Sequence, residues 1–248
     1  MQQLVDLFGF LSVVLRAGTL IFQSLLLGGI GFILWTARGV PGNPESIQKM
    51  QSGSWTLLRL STIGLIVFQV LYLYVNSAVL MTTAEIGFRE VIGANFFLSG
   101  SIVLVAAVAT YLVARQQWRF ARWLVLLLAM VVLGASVMTN HAASRLDGRP
   151  LLIILTTIHE AATAVWIGGL PFLVLALFRD KEEAARWHIT ERFSRMALVS
   201  VGAIVFSGVG MSIRYIASWQ AVLGTAYGVM VTAKALMLAV LMLLGGIN

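Results

Sequence analysis

Leu151 to Phe178 reads LLIILTTIHEAATAVWIGGLPFLVLALF, an apolar run whose only ionisable residues are His159 and Glu160. At a helical rise of 1.5 Å per residue, this run is long enough to cross a hydrocarbon core of ~30 Å. In lipid every backbone polar group must be satisfied by the protein, which leaves helices and closed barrels as spanning structures. A barrel strand would alternate apolar and polar residues over ~10 positions, and this run does not alternate. The same reading applies to 10–37, 56–81, 94–114, 121–140, 194–214 and 228–247. The expectation is an all-α, polytopic transmembrane helical bundle of about seven spans.

Composition agrees. Hydrophobic residues make up 59% of the 248 positions and charged residues 11%, against roughly 25% charged in a soluble domain. Too little polar surface is left to face water. The chain is read as a single transmembrane domain, 1–248, with three spans in 1–120 and four in 121–248. It stops at Asn248 just as the last span finishes, so an eighth span in a longer parent protein stays open. Met1 to Asp6 lacks the basic start of a signal peptide, and the first helix is expected to be retained.

A net charge of +7 would suggest nucleic acid in a soluble protein. Here the basic residues sit in loops and set topology, so nucleic acid is not an expected partner. The loops after spans one, three and five hold Arg38, Lys49, Arg115, Arg119, Arg122, Arg179, Lys181, Arg186, Arg192 and Arg195. The loops after spans two, four and six hold Arg89, Arg145 and Arg149, with Arg214 at a border. The positive-inside rule then puts the N-terminus on the periplasmic side. Trp118, Trp123, Trp187 and Trp219 near span ends suit interfacial belts. The polar stretch Arg179 to Arg192 is expected to be a short amphipathic helix or a helix extension.

Ionisable residues at membrane depth are costly and point to function. Arg16, His159, Glu160 and Lys234 fall within spans, and His141 lies at the outer end of span four. His159 is ~12 Å and Lys234 ~9 Å into spans that enter from outside. Methionines fall in the same outer layer. Met138 shares a helix face with His141, Met211 and Met81 lie near outer span ends, and Met230, Lys234 and Met237 follow i, i+4, i+7 spacing. Imidazole and thioether ligands suit copper. The absence of cysteine removes disulfides, thiolate sites, iron–sulfur clusters and covalent c-type haem. The candidate metal ligands are therefore His141, His159, Met138, Met211 and Met230. Each methionine has a plain alternative as core filler, and each histidine as a donor to a backbone carbonyl. Glu160 points about 100° away from His159 on the helix and is free to pair with Lys234 or Arg16 or to carry protons. Lys234 would repel a metal ion and suits an anion or Glu160. His188, in the charged stretch, reads as solvated. Apart from Arg16 the N-terminal half is read as lacking polar residues at depth. Gly28, Gly29, Gly31, Gly168, Gly169, Gly208 and Gly210 read as close helix packing.

Several blocks together resemble one family. The run His159-Glu-Ala-Ala-Thr-Ala-Val-Trp166-Ile-Gly168-Gly169-Leu170 is similar to the signature of the copper-resistance D (CopD-like) membrane domain. Arg192-Phe193-Ser194-Arg195, Leu223-Gly224-Thr225-Ala226-Tyr227-Gly228, and Lys234 with Asn248 resemble its next three blocks in order. Asn140-His141-Ala142 resembles its Gly-His-Ala, with Asn140 in place of glycine. The resemblance covers about the second half of the chain. It implies a bacterial inner-membrane protein that handles copper, often beside a periplasmic copper-binding partner, with His141, His159 and Lys234 as the carried-over candidates. Its partners would be the copper ion, membrane lipid and that periplasmic protein.

Two other readings stand beside it. His141 and His159 are also suited to ligate a b-type haem in an electron-transfer subunit. A structural or assembly subunit of a larger membrane complex needs no site at all. Enzymatic hydrolysis is not expected: no nucleophile–base pair is evident, and Thr163 stands where a His-Glu-x-x-His zinc motif needs its second histidine.

Overall fold

Helix boundaries follow from a few punctuating residues. The computed structural model describes residues 2–116, 121–139, 148–180, 182–216 and 218–247. Helix α1, Gln2–Gly31, runs on into a π-helical turn, Phe32–Thr36, closed by the Ala37 N–H donating to Phe32 O. Gly39 and Gly42 then adopt positive φ, 65° and 134°, which an L side chain rarely tolerates. The chain turns there into α2, Pro44–Ala84. Asn43 caps α2 by accepting from the Glu45 N–H, Pro44 fills the first turn, and Glu45 faces the positive end of the helix dipole. After the short α3, Phe88–Ile92, come α4, Asn95–Gln116, and α5, Ala121–Met138. Helix α6, Arg149–Arg179, contains the opening run and carries Pro171 inside it. Helix α7 is Glu183–Tyr215, the short α8 is Trp219–Gly224, and α9 is Ala226–Ile247.

The described residues are all-helical, without strands. Among them six helices are long and apolar enough to cross a membrane, and α5 supplies a shorter apolar helix. That is the makeup of a multi-pass helical membrane protein. The start of α2 differs from expectation. Helix α2 begins at 44 rather than 56, because the polar segment 44–55 carries its own capping signals and continues the helix beyond the apolar run. The charged stretch after Arg179 takes one of the two forms expected of it, a helix extension: it becomes the first turns of α7 and is continuous with the next apolar run.

The chain divides into two compact units, Met1–Ile204 and Val205–Asn248. In the first, α1 packs against α2 and α6 and touches α5; α2 also meets α4 and α6, α4 lies along α5, and α5 touches α6. Their shared core includes Leu26, Ile30, Phe32, Leu65, Val132 and Phe172, and α7 adds Ala185, Ile189 and Phe193. Glycine sets how close α1 and α6 come. A Cβ on Gly168 would lie 1.8 Å from Ser24 O, and one on Gly28 would lie 2.3 Å from the Gly168 carbonyl carbon. Bare backbone at this crossing is obligatory. The close packing expected of the glycines is thus, for Gly28 and Gly168, a specific contact between α1 and α6.

Charge segregates along this unit. One end gathers the C-terminus of α1, the N-terminus of α2 and the α6–α7 junction, with Arg38, Lys49, Arg179, Arg186, Arg192 and Arg195. There Asn43 N–H donates to Glu182, Arg179 donates to Lys49 O, and Arg192 donates to Trp35 O and Arg38 O. The opposite end holds the N-terminus of α1, the C-termini of α2 and α5, and the N-termini of α4 and α6. The second unit contains the α8–α9 turn, in which Ser218 caps α8 and the Thr225 hydroxyl accepts from the Gly228 N–H to start α9.

Candidate functional site

The weakly charged end of the first unit contains a polar layer built from five helices. Arg16 on α1 is half-buried, donates to Thr139 Oγ1 at 3.1 Å, and lies 5.7 Å over the Tyr72 ring of α2. Its side chain therefore ties α1 to α2 and to the end of α5, next to Met138. Ser12 donates to Asn76 Oδ1 at 2.9 Å, and Asn76 donates to Tyr72 O. Asn95 on α4 donates to Met138 O at 2.8 Å, and Ser99 donates to Asn95. Gln69, buried on α2, donates to Gly100 O at 3.2 Å. The reading of an N-terminal half poor in polar residues is corrected here. Ser12, Arg16, Thr19 and Gln23 form a stripe at i, i+4, i+7, i+11 on α1, and Gln69 and Asn76 stand at i, i+7 on α2. That spacing was the available signal; uncharged side chains hide in a count of ionisable groups.

His159 and Glu160 sit on α6 within this unit and are half-buried. Helix α6 runs parallel to α1, since the intervening α2, α4 and α5 each reverse direction. His159 lies nine residues, or ~13 Å, before Gly168 on α6. Leu15 lies the same distance before Ser24 on α1, so the His159 pair and Arg16 share one level of the bundle. Met138, at the end of α5, is partly exposed, with its backbone carbonyl in the layer. His141 lies outside the described residues. Met211, Met230 and Lys234 belong to the second unit. Met211 is half-buried there, and Met230 and Lys234 are on exposed positions of α9. Among the described residues no group of three His, Asp or Glu side chains is placed to hold a metal ion.

His188 departs from expectation. It is half-buried on α7 with its Nε2 shielded from solvent, because α7 is a helix docked by Ala185, Ile189 and Phe193 rather than a solvated loop.

Several signature residues have architectural roles. Gly168 and Gly169 form the α1 crossing and the seat of Phe193, whose ring a Cβ on Gly169 would approach to 2.9 Å. Arg192 pins the turn after α1, and Phe193 packs 6.5 Å from Phe32. In the block 223–228, Gly228 leaves 2.2 Å between a would-be Cβ and Ala221 O, and Tyr227 packs 5.5 Å from Tyr215.

Residues 187–248 match the family model described as "Copper resistance protein D". Over this segment the chain is CopD-like. A relative named "Copper transport protein CutJ", from Bacillus subtilis (strain 168), is 32% identical over 117 residues, 46% of this chain and 21% of that protein. The chain therefore spans about a fifth of that relative's length. No solved structure matches significantly. The CopD-like segment includes the Arg192 and Leu223 blocks and Lys234; His141 and His159 precede it.

Proposed function

We propose that this protein binds copper from the outer side of the bacterial inner membrane and passes it across or within the membrane, as a transport or delivery protein rather than an enzyme. The observation that carries this is the coincidence of a CopD-like segment with a half-buried histidine, His159, in a polar layer at one end of an apolar bundle. Copper-related descriptions of both the family and the relative support the cargo. In this reading the chain spans the membrane seven times, with α5 as the shortest span, and the charge segregation of the first unit puts its basic end in the cytoplasm. The polar layer then faces the periplasm, where a copper-binding protein is positioned to deliver the ion.

His159 is the principal ligand, with His141 and the Met138 thioether completing a soft set. Arg16 holds α1, α2 and α5 in place around it. Glu160 supplies a carboxylate beside the histidine for charge balance or proton transfer, and Lys234 serves an anion. The haem reading gains no support from either match. The test is copper accumulation in cells expressing wild type, His159→Ala or empty vector. Wild type should shift cellular copper, and His159→Ala should match the vector at equal membrane abundance. Equal copper in all three would overturn the proposal.

A further inference from the structure

At the basic end of the first unit, away from the polar layer, lies a cavity of about 160 Å³ between the turn after α1, the start of α2 and the start of α5. That volume would hold about five waters. Its lining includes Arg38, Gly39, Gln51, Ser54, Trp55 and Arg122. No carboxylate belongs to it. The Ser54 hydroxyl already donates to Met50 O, which leaves two guanidinium groups, the Gln51 amide and the Trp55 indole N–H as the donors offered to a guest. Among the described residues the ion pairs are Lys49–Glu45 and Arg195–Glu191, so neither Arg38 nor Arg122 has an acidic partner there.

The walls are held in place by the fold. Arg192 donates to Arg38 O and Trp35 O and anchors the turn from α7. Gly39, at φ 65°, reverses the chain beneath it. Leu58 and Val125, one turn on from Ser54 and Arg122, are buried in the core and fix α2 and α5. A pre-formed concavity lined by two forked cations, with donors in excess and no carboxylate, suits a tetrahedral oxyanion. Its position at the basic end of an apolar bundle matches where basic pockets meet anionic headgroups.

We propose that this cavity binds a phosphate group, gripped by Arg38 and Arg122 and steadied by Gln51 and Trp55. The phosphate comes from an anionic lipid headgroup of the adjoining leaflet or from inorganic phosphate. This site is independent of copper.

The test uses the full chain purified in detergent and examined by native mass spectrometry with phosphatidylglycerol, phosphatidylcholine or inorganic phosphate added. The variants are Arg38→Gln with Arg122→Gln, and a charge-matched control, Arg115→Gln with Arg186→Gln, at exposed positions outside the cavity. Circular dichroism and gel filtration check that both fold. Wild type should retain phosphatidylglycerol over phosphatidylcholine or bind inorganic phosphate, and the first arm to respond identifies the source. The cavity variant should bind roughly tenfold less, and the control should match wild type. Binding of neither probe, or an equal loss in the control, would overturn the site.

Discussion

Replacing Gly168 by alanine adds one carbon at the α1–α6 crossing, where it would sit 1.8 Å from Ser24 O. An ordinary carbon–oxygen approach is ~3.3 Å, so the two helices must part by roughly 1.5 Å. The opposing atom is backbone, so no side chain can swing aside. Gly28 faces the same backbone and offers no relief. A gap of even ~1 Å forfeits up to half of the dispersion contact across it, and overpacking of this kind costs about 1–3 kcal/mol. We expect a loss of about 3 kcal/mol, or on the order of 10 °C in apparent melting temperature for a chain of this size. The assay is heat challenge of the detergent-solubilised protein followed by gel filtration. Gly202→Ala is the control, since a Cβ there meets nothing within 4 Å and alanine gains up to ~1 kcal/mol of helix propensity. If Gly168→Ala melts within about 2 °C of Gly202→Ala, the crossing is not set by bare backbone and the reasoning fails.

Three further outcomes follow from named contacts. Arg192→Gln removes charge-assisted donation to Trp35 O and Arg38 O; limited proteolysis should cut the 39–43 turn faster, with about 1–2 kcal/mol of stability lost. Gly228→Ala puts a Cβ 2.2 Å from Ala221 O and should raise hydrogen exchange across 219–232 while leaving 44–84 unchanged. Arg16→Met loses the Thr139 bond and the Tyr72 ring contact and should lower thermal stability by about 1–2 kcal/mol, with Arg16→Lys recovering part of it.

How much of this was legible beforehand depended on which physical signal was strong. Long apolar runs declare membrane helices through length alone, so the six long apolar helices and the shorter α5 among the described residues were readable, as was the segregation of arginines and lysines. The start of α2 was not, because Asn43-Pro44-Glu45 is a capping signal that a hydropathy window averages away. The polar layer was half-read: Arg16, His159 and Glu160 stand out by charge, whereas Ser12, Gln69, Asn76 and Asn95 become visible only when helical spacing is applied to neutral side chains. His188 was misread as solvated because a charged stretch, even taken as a helix, does not show which face is covered until Ala185, Ile189 and Phe193 are seen buried. The CopD-like blocks were recognisable as patterns, but sequence alone could not divide them into packing and chemistry. The geometry assigns Gly168, Arg192 and Gly228 to packing.

The central claim rests on copper at His159. Metal analysis with a visible spectrum on the detergent-purified protein, wild type beside His159→Ala, tests it most directly. The account predicts near-stoichiometric copper in wild type, no Soret band, and loss of the metal in the variant with the helical fold intact. Copper retained equally by His159→Ala, or a haem spectrum in wild type, would contradict it.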